Sequence, residues 1–408
     1  MEDKKEIKNT FGKDLDLFVS QVQSLHTTLP FVSTMLKDSS NKSEMLLKEF
    51  FETKCLKEER EGKQFYIIPV DHRLKHRTLK KNTSHIKIAY SIVRKNFIVS
   101  LVSQFDAYLG ALIRLMFIAR PELLNSSEKN LTFSKLLEFA DLNEAREFII
   151  EKEVEAVLRD SHASHFKWLE NKVGIPLTKD LPSWADFIEV TERRNLFVHC
   201  NGIVSAQYIT VCKQHNYNFD KEIKVGMSLG VTEEYFNKAY RIILEIGYKL
   251  GQVLWRKLLP DEAEAADLNL LDSSFELIQE QDYDTAIVLL EFATGVIKKH
   301  SSEDIKLRLL LNLAQCHKWK GNNEKCLKIV NNTDWSAYSN TFKLASSVLL
   351  DDFEKSASIM KIIGAKDNDM NKGSYKNWPI FKEFRKTEHF LITFKEVFEE
   401  EFKLTEEA

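Results

Sequence analysis

The stretch FIVSLVSQFDAYLGALIRLMFIA, from Phe97 to Ala119, is the most apolar segment of this 408-residue chain and decides the expected fold class. A membrane-spanning helix needs about 20 consecutive, predominantly apolar residues. Here Asp106 and Arg114 interrupt the run before it reaches that length. The segment is therefore predicted to be a long helix buried in a protein core, and no membrane partner is expected.

The composition predicts a mainly α-helical protein. Gly totals 13 and Pro only 7, too few for many short strands joined by tight turns. The 58 Lys and Arg nearly balance the 61 Asp and Glu, so any basic site must be local. A chain of this length is expected to form two or three domains, each with its own core.

The cysteines indicate a reducing compartment. They number five, at positions 55, 200, 212, 316 and 326, and form no CxxC pair, so neither a disulfide framework nor a zinc ribbon is indicated. The N-terminal MEDKKEIKN lacks the apolar core of a signal peptide. We therefore expect a cytoplasmic protein.

The sequence gives no reason to expect a metal or an organic cofactor. His72 and His76 are four residues apart, but only Asp71 stands nearby as a third ligand. The motifs GxxxxGK[ST], GxGxxG and GxSxG are absent, which disfavours P-loop hydrolysis, dinucleotide redox chemistry and esterase chemistry.

Residues 1–89 are predicted to form an N-terminal helical extension with a basic segment. Pro30 and the SSNKS segment should divide its helical pattern, and FYIIPV at 65–70 favours a strand. The next segment, DHRLKHRTLKKNTSHIK at 71–87, carries three His and six Lys or Arg. It is interpreted either as a phosphate-contacting arm or loop or as a solvated linker. The long core helix is expected to begin at Ile86.

Residues 90–259 are predicted to form a helical domain. Apolar residues recur at intervals of three and four between 131 and 175, which predicts two or three amphipathic helices. Another helix should begin after Ser183, a natural N-cap with Asp186 at the capping-box position. The pair Asn201-Gly202 should end that helix in a left-handed conformation.

Residues 260–408 show a repeating pattern. Segments beginning at 277, 313 and 344 each combine a helix, a polar turn and a second helix that contains a small residue: Ala286, Cys326 or Ser356. The pattern resembles a degenerate tetratricopeptide array, which implies antiparallel helical hairpins that share one core. The closing segment WPIFKEFRKTEHFLITFKEVF is predicted to be a capping helix with its phenylalanines on helical stripes.

The segment TERRNLFVHCNGIV, Thr191–Val204, carries the main candidate site. Arg194, Asn195, three apolar residues and His199 match the R-polar-x3-H pattern of the HEPN superfamily, and the continuation HxNG is typical of bacterial members. The resemblance covers residues 90–255, approximately. It implies an all-α, HEPN-like bundle, and many members of this superfamily are metal-independent ribonucleases.

The resemblance implies cleavage of single-stranded RNA by attack of the 2'-hydroxyl. His199 is the expected acid/base, because the ordinary pKa of a histidine, about 6.5, lies near neutral pH. Arg194 is expected to hold the scissile phosphate, and Asn195, on the helix face of His199, to orient the phosphate or the imidazole. One histidine does not readily serve as both base and acid, so the resemblance also implies a homodimer that brings two sets together.

A second, looser match occurs at Arg159, Asp160 and His165 in RDSHASH. Arg194 to His199 is taken as primary because apolar residues between its polar positions anchor it. Arg159 and His165, together with Arg193, are expected to bind the substrate.

Arg194 and His199 can also be interpreted as purely structural residues. Arg194 would then pair with Glu189, Glu192 or another acid, and His199 would serve as a cation near the C-terminus of its helix.

The predicted function is thus a metal-independent endoribonuclease, a phage-defence or toxin-like effector whose C-terminal repeats bind a regulatory protein. A non-catalytic dimeric adaptor that binds protein or RNA is the main alternative. Nucleotide binding or nucleotidyl transfer with a partner enzyme is the third.

Overall fold

The computed structural model describes residues 10–61, 63–126, 131–179, 181–219, 221–367 and 370–403. Within these ranges the chain forms sixteen α-helices and one two-stranded sheet. The predicted all-α fold is therefore confirmed. Residues up to Leu254 form one compact unit, and those from Trp255 form a second.

Two long antiparallel helices open the first unit. They are α1 (Thr10–Lys54) and α2 (Arg73–Ala119), joined by the antiparallel strands β1 (Leu56–Arg60) and β2 (Lys63–Ile67). The rings of Phe18 and Tyr108 stack with centroids 4.5 Å apart, and the hydroxyls of Ser43 and Thr83 are hydrogen-bonded at 2.8 Å. The two helices therefore pack together along most of their length.

Two expectations for this region are wrong. Pro30 and the SSNKS segment lie inside α1 rather than dividing it, and α2 begins at Arg73 rather than Ile86, so the basic segment is helical. Pro30 removes only one backbone donor, while Leu29 and Phe50 remain buried on either side of the expected breaks. Packing against α2 thus outweighs the local breaking signals. The strand expected at 65–70 is confirmed only in part: β2 covers 63–67, and Val70 already begins a 3-10 turn.

The segment Val70–Ala119 has the length and composition of a membrane span, yet 56% of its most apolar window is buried inside the protein. Leu101, Phe105 and Leu112 have no exposed surface. The interrupting Asp106 and Arg114 both form ion pairs with other helices. This burial agrees with the core position predicted from the sequence.

Six more helices have most or all of their residues in the first unit. They are α3 (Phe133–Leu136), α4 (Leu142–Leu158), α5 (His162–Val173), α6 (Trp184–Cys200), α7 (Ala206–Gln214) and α8 (Glu233–Leu258). Of the two or three amphipathic helices predicted between 131 and 175, α4 and α5 are confirmed, and α3 is a single turn with no buried residue. The Ser161 hydroxyl accepts the backbone N–H of Ser164 and caps α5. His162 and His165 therefore lie in the first turn of α5.

Successive helical hairpins build the second unit. They are α9 (Ala263–Gln279) with α10 (Tyr283–Glu291), α11 (Glu303–Trp319) with α12 (Asn323–Asn331), and α13 (Asn340–Leu349) with α14 (Phe353–Ile363). The small residues Ala286, Cys326 and Ser356 are buried where the second helix of each pair packs. The hydroxyls of Ser347 and Ser356 lie 2.8 Å apart, which shows how closely α13 and α14 approach.

The closing segment departs from the single capping helix that was predicted. After α15 (Lys372–Asn377), two 3-10 turns, Pro379–Phe381 and Phe384–Lys386, precede α16 (Glu388–Phe398). Pro379 keeps the preceding Trp378 in an extended conformation, so α15 cannot continue. The aromatic rings are nevertheless core residues: Phe381, Phe384, Phe390 and Phe394 have no exposed surface.

Candidate active site

The C-terminal end of α6 sets the position of the predicted motif. Asn201 (φ 50°) and Gly202 (φ 86°) are both left-handed, and the Gly202 N–H donates to Leu196 O at 2.9 Å, so the predicted helix stop is confirmed. The Lys95 ammonium of α2 also donates to Asn201 O at 2.9 Å. These bonds fix the last turn of α6, which carries His199.

The N-terminal end of α6 differs in detail from the prediction. Ser183 occupies the N-cap position, but its side chain makes no capping bond. Its backbone is in the right-handed helical region (φ −79°, ψ 0°) rather than the extended conformation that a capping serine adopts. Asp186 instead pairs with Lys238 of α8 at 2.7 Å.

A pocket of about 460 Å³ lies where the start of α5, the second half of α6 and the start of α7 meet α2. Three histidines, two arginines and three carboxylates line it, namely His162, His165, His199, Arg159, Arg194, Asp106, Asp160 and Glu192. Asn195 lines it as well. The volume is within the usual range for a small-molecule site. The two sequence matches, 159–165 and 194–199, therefore border the same cavity.

Asp106 joins the two helices that border the pocket. Its Oδ2 accepts a hydrogen bond from Arg194 Nη2 at 2.6 Å, and its Oδ1 accepts one from His162 Nε2 at 2.8 Å. Burial acts to raise the pKa of Asp106, but the bond from His162 and the charge of Arg194 outweigh it and lower this pKa. Asp106 is thus ionised at neutral pH and holds both groups in place.

Arg194 keeps part of its hydrogen-bonding capacity. Its side chain is 20% exposed, and among the described residues its Nε has no hydrogen-bond partner. Arg194 lines the pocket, and its bond to Asp106 fixes the orientation of the guanidinium.

His165 is buried in the pocket wall with 2% of its surface exposed, and neither ring nitrogen has a hydrogen-bond partner within the described part of the chain. Burial lowers its pKa to about 4, and the neighbouring His162 adds to that shift. His165 is therefore neutral at pH 7, and its ring nitrogens lie buried in the pocket wall.

His199 is exposed at the rim, and no hydrogen bond to its ring occurs within the described ranges. Asn195 donates from Nδ2 to Glu192 at 3.3 Å, and burial raises the pKa of this glutamate. Arg159 is also exposed, and within the described ranges its ion pair is a distant one, with Glu155 at 3.7 Å. The rim thus carries one imidazole and one guanidinium that solvent can reach.

Arg193 lies elsewhere. It is not among the residues that line the pocket; its Nε donates to the buried Glu189 at 2.6 Å, and its guanidinium lies 3.8 Å from the ring centre of Tyr235. Tyr208 and Tyr235 also donate to Glu189, at 2.6 and 3.0 Å. Glu192 lines the pocket, and each residue of an α-helix is rotated by about 100° from the one before it. The next residue, Arg193, therefore points away from the pocket and into the core.

Asp106 and His162, which are bonded to each other in the pocket, were not predicted as site residues. Asp106 was noted only as a break in an apolar run, and His162 only as part of RDSHASH. A charged residue within an otherwise buried helix needs a partner, which was the available signal for Asp106. Nothing in the sequence near His162 indicates its role, because its hydrogen-bond partner Asp106 is 56 residues away in the chain.

Within the described ranges, no group of three or more His, Cys, Asp or Glu is arranged to hold a metal ion. His76, half of the candidate pair near the hairpin tip, stacks on Phe50 with ring centroids 5.9 Å apart.

Fold and site together define an all-α protein with a pocket rich in histidine and arginine. No protein-family model, curated protein or solved structure matches the chain.

Proposed function

We propose that this chain is a metal-independent endoribonuclease of the HEPN type that cleaves single-stranded RNA. The observation that carries the proposal is the shared pocket: Arg194, Asn195 and His199 border the same cavity as Arg159 and His165. Phosphodiester cleavage without a metal requires positive charge on the phosphate and two proton carriers, and this pocket offers both.

The reaction is an internal transfer at phosphorus. The 2'-oxygen attacks the adjacent phosphate while a base takes its proton; the bond from phosphorus to the 5'-oxygen breaks, and an acid protonates that oxygen. The products are a 2',3'-cyclic phosphate and a 5'-hydroxyl. No water, oxidant or metal takes part in this step.

The contacts of the pocket residues suggest a role for each of them in substrate binding or proton transfer. Arg194, oriented by Asp106, would bind the scissile phosphate through its remaining donors. His199, at the open rim, would exchange a proton with a reacting oxygen. His165, neutral and in the pocket wall, would contact the bound ligand.

His162 adds a second candidate proton carrier within one chain. Its bond to Asp106 fixes its ring orientation, and it lines the cavity with His199. The proposal retains a homodimer, since Val198, 50% exposed beside His199, offers an apolar contact for a second copy. If His162 supplies the second proton transfer, however, each subunit contains a complete acid–base pair.

Mixing variants tests whether the site is shared. Equal amounts of His199→Ala and Arg194→Ala protein would be combined and assayed with RNA. A site in which Arg194 of one subunit acts with His199 of the other should recover part of the activity, because each mixed dimer keeps one such pair across the twofold axis. A site complete within one chain should recover none.

The second unit is proposed to bind a regulatory protein and so control a toxin-like or phage-defence effector in the cytoplasm. A groove of about 360 Å³ there combines a few large apolar side chains, including Phe275 and Trp378, with a larger number of polar ones, including Arg308 and Asn312. Grooves of this composition suit a peptide segment. A tetratricopeptide-like array of helical hairpins would present such a surface.

The test of the main proposal is direct. Purified protein would be incubated with single-stranded RNA in EDTA, and the ends of the fragments analysed. We expect 2',3'-cyclic phosphate and 5'-hydroxyl ends, with a rate about 10²- to 10⁴-fold lower for His199→Ala. His389→Ala, an exposed histidine in the second unit, is the matched control. Other fragment ends, or equal losses in both variants, would contradict the assignment.

The non-catalytic adaptor remains the second candidate, and one contact favours it. Arg194 already pairs with Asp106, so part of its charge is neutralised before any ligand binds. If the protein binds RNA but leaves it intact, and His199→Ala binds equally well, the adaptor function is the better one.

A further inference from the structure

The first half of α2 carries an unusual charge distribution. From Arg73 to Lys95 the helix contains eight Lys or Arg, and no Asp or Glu occurs from Arg73 to Phe105. The whole chain, by contrast, has slightly more acidic than basic residues. This half of α2 is therefore a local concentration of positive charge in a nearly neutral protein.

Four of these cations recur at every seventh position: Arg73, Lys80, Lys87 and Arg94. Seven residues are close to two helical turns, so these side chains form one line with a spacing of about 10.5 Å. We call these four residues the α2 cationic ladder. A regular line of cations along a rigid helix suits a linear polyanion.

The cations are largely available to a ligand. Arg73, Lys75, Arg77, Lys80 and Lys81 are exposed, and the described part of the protein provides no ion pair to any of them. Lys87 has one such pair, with Glu44 at 2.7 Å, and both of these side chains are at least half exposed. An exposed pair of this kind is weak and yields readily to a phosphate.

The ladder leads towards the pocket. Lys95, next to its last member, donates to Asn201 at the end of α6, two residues beyond His199. Asp106, in the pocket, follows eleven residues later on α2, a distance of about 16 Å along the helix axis. The same helix thus carries the ladder and the carboxylate that orients Arg194.

We propose that the α2 cationic ladder binds the phosphate backbone of RNA on one side of the cleavage site. This inference rests on the proposed function for the identity of the polyanion. The ladder extends about 32 Å along the helix axis, from Arg73 to Arg94, and its far end lies about 50 Å along that axis from Asp106. The preferred substrate is therefore a long RNA strand rather than a dinucleotide or short oligonucleotide.

A membrane surface would attract the same charges but is less well matched. Apolar residues on the seam of α2, such as Ile98 and Leu101, are covered by the protein. On the exposed side, Leu74 and Ile88 are separated by Lys81 on the same seven-residue line. An interfacial helix needs a continuous apolar face, and this side of α2 has none.

The experiment measures binding apart from cleavage. In a His199→Ala background, Arg73→Ala, Lys80→Ala and Lys87→Ala would be combined, and affinity for a 30-nucleotide oligouridylate and for a dinucleotide measured over a range of salt concentrations. The matched control combines Lys37→Ala, Lys42→Ala and Lys48→Ala, three exposed lysines on α1 of the same hairpin. All six positions are exposed, so both variants should fold.

We expect the ladder variant to lose at least about tenfold in affinity for the 30-mer and to show a shallower salt dependence, by about 0.7 in slope for each lost phosphate contact. Dinucleotide binding and the α1 control should be unchanged. Equal losses in both variants, or binding of phosphatidylserine vesicles in place of RNA, would overturn the proposal. Cleavage by the parent protein is scored separately, so a failure of the ribonuclease proposal remains distinguishable from a failure of the ladder.

Discussion

Replacing Glu189 by alanine is expected to destabilise the first unit strongly. Glu189 is 2% exposed and accepts hydrogen bonds from Arg193, Tyr208 and Tyr235 at 2.6 to 3.0 Å. The substitution leaves a guanidinium, 14% exposed, and two phenol groups without their acceptor. Removing one partner of a buried ion pair typically costs about 3–5 kcal/mol. That is a large share of the 5–15 kcal/mol by which a domain is usually stable, so we expect a fall in Tm of roughly 10 °C.

Thermal unfolding followed by circular dichroism provides the measurement. Glu155→Ala is the matched control, because this glutamate of α4 pairs with Lys152 on the exposed surface, and its loss should leave Tm unchanged. The double variant Glu189→Leu, Arg193→Met removes both charges and should recover part of the loss. If Glu189→Ala behaves like the control, the buried pair does not stabilise α6. If Arg193→Ala lowers RNA affinity without lowering Tm, Arg193 binds substrate after all.

Three further predictions concern the site and its frame. Gly202→Ala should lower Tm, because its φ of +86° disfavours alanine and the new Cβ would lie 2.8 Å from Leu229 O. Gly230→Ala is the control and should leave Tm unchanged, because a Cβ at that position meets no atom within 4 Å. Equal changes in Tm for the two variants would contradict this explanation. His165 has a folded-state pKa of about 4 against about 6.5 unfolded, so its neutral form stabilises the fold fully above pH 6.5, and this stability is lost as the pH falls towards 4. A Tm-against-pH profile should lose that slope in His165→Gln, and an unchanged slope would assign it to other groups. Asp106→Asn should keep the protein folded but lower the RNA cleavage rate about 10- to 100-fold, since it removes the charge that holds Arg194; an unchanged kcat would show that this contact is not used.

The helical pattern of the chain was predictable from local chemistry, with identifiable exceptions. The left-handed stop at Asn201-Gly202 follows from residue types alone. The continuity of α1 through Pro30 does not, because it depends on packing against α2, more than forty residues away in sequence. Local breaking signals thus predicted an end where long-range burial maintains a helix.

For the candidate site, the sequence likewise predicted local spacing but not which distant residues come together. The spacing from Arg194 to His199 and from Arg159 to His165 is visible in sequence, but periodicity cannot show that both segments border one cavity. The adjacent positions of Arg193 and Arg194 likewise do not reveal which of the two arginines faces the core. Glu189, four residues before Arg193, was the local clue to that orientation.

The charges around the pocket set a condition on any phosphate ligand. Asp106 is ionised and neutralises much of Arg194, while the pKa of about 4 leaves His165 uncharged at pH 7. The net attraction for a phosphate at neutral pH must therefore come from Arg159, from the free donors of Arg194 and from cations outside the pocket. A pocket so modestly charged would bind a lone nucleotide weakly, and the binding energy of a longer strand would have to come from a second surface. The exposed cations of α2 meet that requirement on the helix that also carries Asp106.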